Sequence, residues 1–171
     1  TLPKSAKVLD LGAGIGRHAL AFAAMGLDVA ALDAAPESVA AIRRAATAAG
    51  LMMDLRQGMM TELPFPDASF DHVLSWNVIY HGDETVVAGS IAEIARVLKP
   101  GGTFMGTMLS ARRVPVELAK ASGREISRNT WVFDGPGDKV HPHYFCPARD
   151  LVALFAGFEL VSLAPEDPEL L

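Results

Sequence analysis

Two acids and a cluster of glycines are the first residues whose types and spacing suggest chemistry. Asp10-Leu11-Gly12-Ala13-Gly14-Ile15-Gly16 closes a short apolar run, and Asp33 closes a second run about 20 residues later. A glycine-rich turn lets backbone approach a ligand closely. An acid at the end of the next strand can accept hydrogen bonds from both hydroxyls of a ribose. Taken singly, these are also what a tight turn and a solvated strand end would leave; together they point to a nucleoside ligand. The glycines read G-x-G-x-G, whereas the dinucleotide fingerprint is G-x-G-x-x-G with a helix N-terminus aimed at a pyrophosphate.

A second set of reactive types follows the fourth apolar run, in Ser75-Trp76-Asn77-Val78-Ile79-Tyr80-His81. His81 is the candidate catalytic base or substrate contact, since imidazole is the commonest general base, with a histidine bonded at a helix start as the plain alternative. Tyr80 and Trp76 could wall a pocket or pack a core. Arg17 could pair with an acidic substrate or sit solvated on a first helical turn. His141, His143 and Tyr144 are placed to close over a substrate as part of a lid. His141 and His143 also invite a metal reading, but no carboxylate pair is adjacent and Cys146 is the one cysteine, so no metal is expected.

Alternating strands and helices must hold these residues. KVLDL (7–11) reads as a buried strand, RHALAFAAMG as a helix stopping at Gly26, and DVAALD (28–33) as a second strand. Pro36 opens a helix running to Gly50, MMDLRQG is a weaker third strand, and FDHVLSW (70–76) is the fourth. Val87, Ile91, Ile94 and Leu98 recur at helical spacing, which predicts one stripe facing a sheet; KPGG (99–102) then ends the helix and TFMGTML is the fifth strand. Between about 110 and 147 the pattern breaks down, which predicts a loop-rich insertion or lid with one short helix and one strand. ARDLVALFAG then reads as a helix and FELVSL as a last strand. The expectation is one α/β domain over 1–171, with a Rossmann-like, doubly wound, mainly parallel sheet and helices on both faces.

Composition narrows the classes. The formal net charge is −5 and the basic residues form no stripe, which argues against a nucleic-acid partner. No apolar run reaches the ~20 residues that span a bilayer. TLPKSAKVLDLG enters a strand with no room for a signal peptide, and the single cysteine asks for no oxidising compartment, so a cytoplasmic location is expected.

With VLDLGAGIGR as a first motif, LPFPDASFDHVLSWNVIYH (63–81), IARVLKPGG (94–102) and YFCPARDLVALFAGFELV (144–161), the chain resembles the class I S-adenosylmethionine (SAM)-dependent methyltransferases over nearly its whole length. Within them it is most similar to small-molecule enzymes such as the tellurite-resistance type. The resemblance implies SAM as cofactor, S-adenosylhomocysteine (SAH) as product and a small-molecule acceptor. It makes Asp10, Gly12, Ala13 and Gly14 the cradle for the methionyl part, Asp33 the ribose ligand and Ala34 a neighbour of the adenine. Gly58, Met59 and Met60 would close on the adenine; Met59 departs from the family, which commonly places an aspartate there. Ser75, Trp76 and Asn77 would line the cofactor, and Arg17, Tyr80, His81, His143 and Tyr144 the acceptor. Family members usually carry N-terminal helices and a last antiparallel strand beside the fifth. This chain is expected to lack both, and the unpaired sheet edge to favour a homodimer. The rival readings are a SAM-binding regulatory module without catalysis and a nicotinamide-dependent oxidoreductase.

Overall fold

Val8, Leu9 and Leu11 have no exposed surface, as a strand covered on both faces requires. They lie in β1 (Lys7–Leu11), the middle of a five-stranded parallel sheet. The first crossover, α1 (Arg17–Ala24), leads to β2 (Asp28–Asp33), and α2 (Pro36–Ala48), with proline in its first turn, leads to β3 (Asp54–Gln57). The chain then crosses β1 to place β4 (Phe70–Ser75) on its other edge, and α3 (Glu84–Val97) leads to β5 (Leu98–Gly106). The order is β3-β2-β1-β4-β5. The computed structural model describes Pro3 and residues 5–164.

The chain forms two compact units, one from residues up to 79 with 92–107, the other from 80–91 with residues from 108 onward. The sheet above belongs to the first. Its core includes Ala19, Val29, Ala31 and Ile42, where the small residues of α1 and β2 let helix and strand approach.

The second unit holds a separate four-stranded sheet, ordered β6-β9-β8-β7 in chain numbering: β6 (Leu109–Ser110), β7 (Gly123–Ser127), β8 (Thr130–Phe133) and β9 (His143–Cys146). Its helices are α4 (Val114–Leu118) and α5 (Ala148–Leu154). The segment expected to be loop-rich with one strand instead carries β7, β8 and β9, joined by turns and short helices. These strands are short and turn-rich, so none carries a period long enough to read.

Three expectations need correction. The stripe on α3 does not face one sheet: Val87 and Ile91 pack with Tyr144 and Cys146 in the second unit, while Ile94 is buried in the part of α3 that belongs to the first. β5 starts at Leu98, not after KPGG, because Leu98 pairs with Phe70 before a register shift brings Thr103 opposite His72. FELVSL forms no strand; Leu160, Val161 and Leu163 are exposed and have no ladder to join among the described residues.

Candidate functional site

β1 and β4 are neighbours whose chains leave in opposite directions around the sheet, and the carboxyl ends of such strands open the crevice where α/β proteins bind ligands. The glycine turn lies there. Gly12 has φ 70°, and a Cβ at this position would collide with the side chain of Val78, which packs directly over it. Gly16 has φ 86° at the start of α1, and its Cβ would stand 2.7 Å from Ile42 Cγ1. The turn thus passes between two fixed side chains, and only glycine fits at either point.

Two carboxylates hold it. Asp33 Oδ2 accepts from the Gly14 amide at 2.7 Å, and Oδ1 accepts from the Ala35 amide at 2.9 Å. A carboxylate has about four lone-pair sites, so the half-buried Asp33 keeps capacity for two hydroxyls after these bonds. Asp10 is almost fully buried, and its Oδ2 accepts from the Ala19 amide at 2.9 Å, one of the donors the first turn of α1 leaves unmet. Burial pushes the Asp10 carboxyl above its ordinary value, against the pull of that amide. Asp10 therefore sets the angle of α1 from beneath the turn, and Asp33 is the acid that faces outward.

The other cofactor-side residues fall around this turn. Ala34 and Met59 are exposed, Met59 by 60%, and Gly58 donates its amide to the Asp33 carbonyl at 3.1 Å. Met60 is half-buried beside them. Ser75 is fully buried and its hydroxyl donates to the Leu11 carbonyl at 3.3 Å, so its side chain ties β4 to β1. Asn77 has φ 59°, a conformation asparagine tolerates better than most residues. Its amide donates to Thr107 Oγ1 at 2.7 Å, and that hydroxyl donates to Asn77 Oδ1 at 3.0 Å. This lock turns the chain so that Val78 covers Gly12. Trp76 lies edge-on to His18, with ring centres 6.2 Å apart, and Arg17 is exposed.

The motifs that carried the family resemblance include scaffold far from this edge. Arg96 donates to the Leu63 and Phe65 carbonyls and to Glu93, whose Oε2 accepts from the Leu63 amide, so LPFPD is clamped onto α3. Asp71, at the start of β4, accepts from the Lys7 amide and from Lys99 Nζ, both at 2.8 Å, joining the amino ends of β1, β4 and β5. The Lys99 ammonium holds the Asp71 carboxyl below its ordinary value.

The remaining acceptor-side candidates lie in the second unit. Tyr144 is fully buried and its hydroxyl donates to Asp150 Oδ2 at 2.9 Å, within a network that adds Arg128 and Asn129; this is a core position, not a lid surface. Cys146 is buried beside it, its thiol pushed up to about 12 by burial. Tyr80 is also buried. His81 and His143 face each other across an antiparallel bridge, flanked by the Tyr144 amide donating to the Tyr80 carbonyl and the Gly82 amide donating to the Pro142 carbonyl, each at 2.8 Å. Asp138, missed by sequence reasoning, brings Oδ2 to 3.6 Å from His81 Nε2 and 3.5 Å from His143 Nε2. Burial lowers the His143 pKa below its ordinary value. For Asp138 burial acts upward, but His143, Lys139 and His81 outweigh it and hold the carboxyl low. His141 is exposed and stands outside this trio, lending it only a carbonyl: His143 Nδ1 donates to the His141 carbonyl at 2.8 Å. No one-dimensional spacing signals a group assembled from the segment after β4, a short turn and the start of β9.

The first unit, with its parallel sheet, glycine turn and ribose-type acid, defines a Rossmann-like fold of the class I methyltransferase kind. Residues 8–102 match the family described as Methyltransferase domain, and the chain belongs to that family. An uncharacterized methyltransferase of Mycobacterium tuberculosis is 35% identical over 161 residues, covering 94% of this chain and 57% of that protein. A probable S-adenosylmethionine-dependent methyltransferase of Mycolicibacterium smegmatis is 33% identical over 150 residues, covering 76% of this chain and 56% of that protein. Among solved structures, the YcgJ protein of Bacillus subtilis matches with a TM-score of 0.69 and 27% identity, over 90% of this chain and 61% of that one. The chain spans about 57% of the length of the mycobacterial relative. No helix among the described residues is long and apolar enough to cross a membrane.

Proposed function

We propose that this chain is a SAM-dependent methyltransferase that binds its cofactor on the first unit and transfers the methyl group to a small-molecule acceptor. The observation that carries this reading is the pairing of Asp33 with the glycine turn it holds by the Gly14 amide. Asp33 accepts from the ribose hydroxyls; Gly12, Ala13 and Gly14 present backbone to the methionyl part; Ala34, Gly58, Met59 and Met60 flank the adenine. Met59 makes an apolar, polarizable contact there in place of a carboxylate's hydrogen bond. Asp10 acts as a positioning residue through α1, and the backbone of Ser75, Trp76 and Asn77 borders the same crevice.

SAM supplies a methyl carbon already activated by the sulfonium charge, so the protein's work is alignment and exclusion of water, and orientation alone is worth ~7–11 kcal/mol. A base is needed only where the acceptor must lose a proton. For that case His81, half-buried in the second unit, is the proposed proton acceptor. Arg17, exposed on the first turn of α1, remains the proposed contact for an acidic acceptor. A net charge of −5 without a basic stripe favours a small molecule over nucleic acid. β5 pairs only with β4 among the described residues, which supports a homodimer, checked by mass in solution. The single cysteine supports a cytoplasmic setting.

The test is calorimetric titration with SAH, competed by SAM and by NAD. Micromolar or tighter binding, displaced by SAM and not by NAD, is expected. A folded chain that binds neither SAH nor SAM would sink the cofactor assignment. Tight binding without turnover across thiol, amine and hydroxyl acceptors would leave a regulatory SAM-binding module instead.

A further inference from the structure

We infer that His81, Asp138 and His143 form a binding site for a divalent transition-metal cation of the zinc class. One ligand atom from each of the three lies within 4.8 Å of the other two. Donors about 2.0–2.2 Å from a tetrahedral zinc stand ~3.3 Å from one another. The observed carboxylate-to-imidazole distances of 3.5 and 3.6 Å lie close to that figure. They are longer than charge-assisted hydrogen bonds, which settle at about 2.7–2.9 Å. Asp138 thus stands at metal-ligand spacing from both imidazoles.

A second observation comes from His143 alone. Its side chain has no exposed surface, and Nε2 is one of the few buried polar side-chain atoms without a hydrogen-bond partner among the described residues. Burying such an atom unpaired is costly, and a bound cation would satisfy its lone pair. The tautomer is set: a carbonyl can only accept, so Nδ1 must carry the hydrogen it gives His141, and the lone pair falls on Nε2. This is how metal-binding histidines are oriented, with the far nitrogen donating to a carbonyl or carboxylate.

The scaffold holds two donors firmly and leaves the third adjustable. The backbone bridge between His81 and His143 fixes two imidazoles, whose ring centres lie 4.5 Å apart at 68°. Tyr80 backs both rings, with centres 5.0 and 5.7 Å away. Asp138 comes from the short turn Asp138–Val140 and is 64% exposed, so the cation has an entry path and one side open to water. Two imidazoles and one carboxylate suit zinc, cobalt or iron better than magnesium or calcium, which take all-oxygen shells. Three protein donors with an open fourth position are the arrangement of a catalytic rather than a closed structural site. With the cation seated, His81 serves as a ligand and not as the base. The inference does not depend on methyl transfer; it would stand if the chain bound no SAM.

The test is titration of chelator-treated protein with Co2+, followed by displacement with Zn2+, and the same titration on the His81→Gln/Asp138→Asn double variant. One Co2+ per chain is expected, with the intense visible bands of a four-coordinate centre, lost on adding Zn2+. The double variant is expected to bind Zn2+ more than ~100-fold more weakly while its metal-free melting temperature is unchanged. Absent or unsaturable binding by the parent chain, or parent-like affinity in the folded double variant, overturns the site. If the variant does not fold, the parent decides: Co2+ must shift the ring protons of His81 and His143, and shifts confined to His18, His72 or His141 overturn it. SAH affinity read on the same samples keeps this result separate from the cofactor assignment.

Discussion

The two units differ in how completely they satisfy their buried polar groups. In the first, the polar groups at the crevice are satisfied: Asp10 takes an amide of α1, Asp33 takes two amides of its neighbouring turns, and Ser75 bonds across to β1. In the second are all three buried side-chain atoms without a hydrogen-bond partner among the described residues, on Arg113, Glu117 and His143. Glu117 has three cationic groups 3.6–3.8 Å away, loosely arranged. A satisfied site is preorganised and binds by presenting backbone in a set shape. An unsatisfied one keeps donor and acceptor capacity in hand, which is what a ligand or ion would use.

The sharpest way to break this comparison is Asp33→Ala. It removes the ribose acceptor and releases the Gly14 and Ala35 amides together. With two charge-assisted bonds to ribose lost at about 1.5–3 kcal/mol each, SAH affinity by calorimetry is expected to fall ~100-fold or more. Unchanged affinity in a folded variant would mean that the ribose lies elsewhere. Next is Gly12→Ala, whose side chain must displace Val78 and whose left-handed backbone costs about 1–2 kcal/mol. Both SAH affinity and melting temperature should drop, the affinity by ~10-fold.

In the second unit, Tyr144→Phe deletes the hydroxyl that donates to Asp150 while Arg128 and Asn129 still serve that carboxylate. A loss of about 1 kcal/mol in chemical denaturation is expected, with SAH affinity untouched. A change in affinity would mean that Tyr144 does more than hold its own core. The smallest effect belongs to Lys99→Met, which removes a partly exposed ion pair worth about 0–1 kcal/mol. Lys99 holds the Asp71 carboxyl below its ordinary 3.8, so the pair stabilises fully above that value and its share is lost as the pH falls through the folded-state pKa. Parent and variant should therefore converge in melting temperature in acid.

Legibility in the sequence followed the length and regularity of the elements. β1, β2 and the start of α2 were readable to the residue, because KVLDL runs directly into Gly12, DVAALD follows the Gly26 helix stop and closes on an acid, and α2 opens on a proline. The stripe on α3 was readable as a helix face but not as the property of two cores, since periodicity tells which side is buried and not against what. Strands of two to five residues in the second unit give too few alternations to separate from turn. FELVSL had the composition of a strand without a partner to pair with among the described residues, and propensity alone does not make one.

By itself, the sequence determined the Rossmann-like sheet, its glycine turn and the two acids, because their signals are local: apolar runs alternate with helical stretches, a sharp strand-to-helix turn takes glycine, and each strand end carries its acid. Tertiary structure decided what each acid does, burying Asp10 against α1 and leaving Asp33 outward. It also gathered His81, Asp138 and His143 from positions 57 and 5 residues apart in the chain, a convergence only strand pairing and a short turn between β8 and β9 could produce.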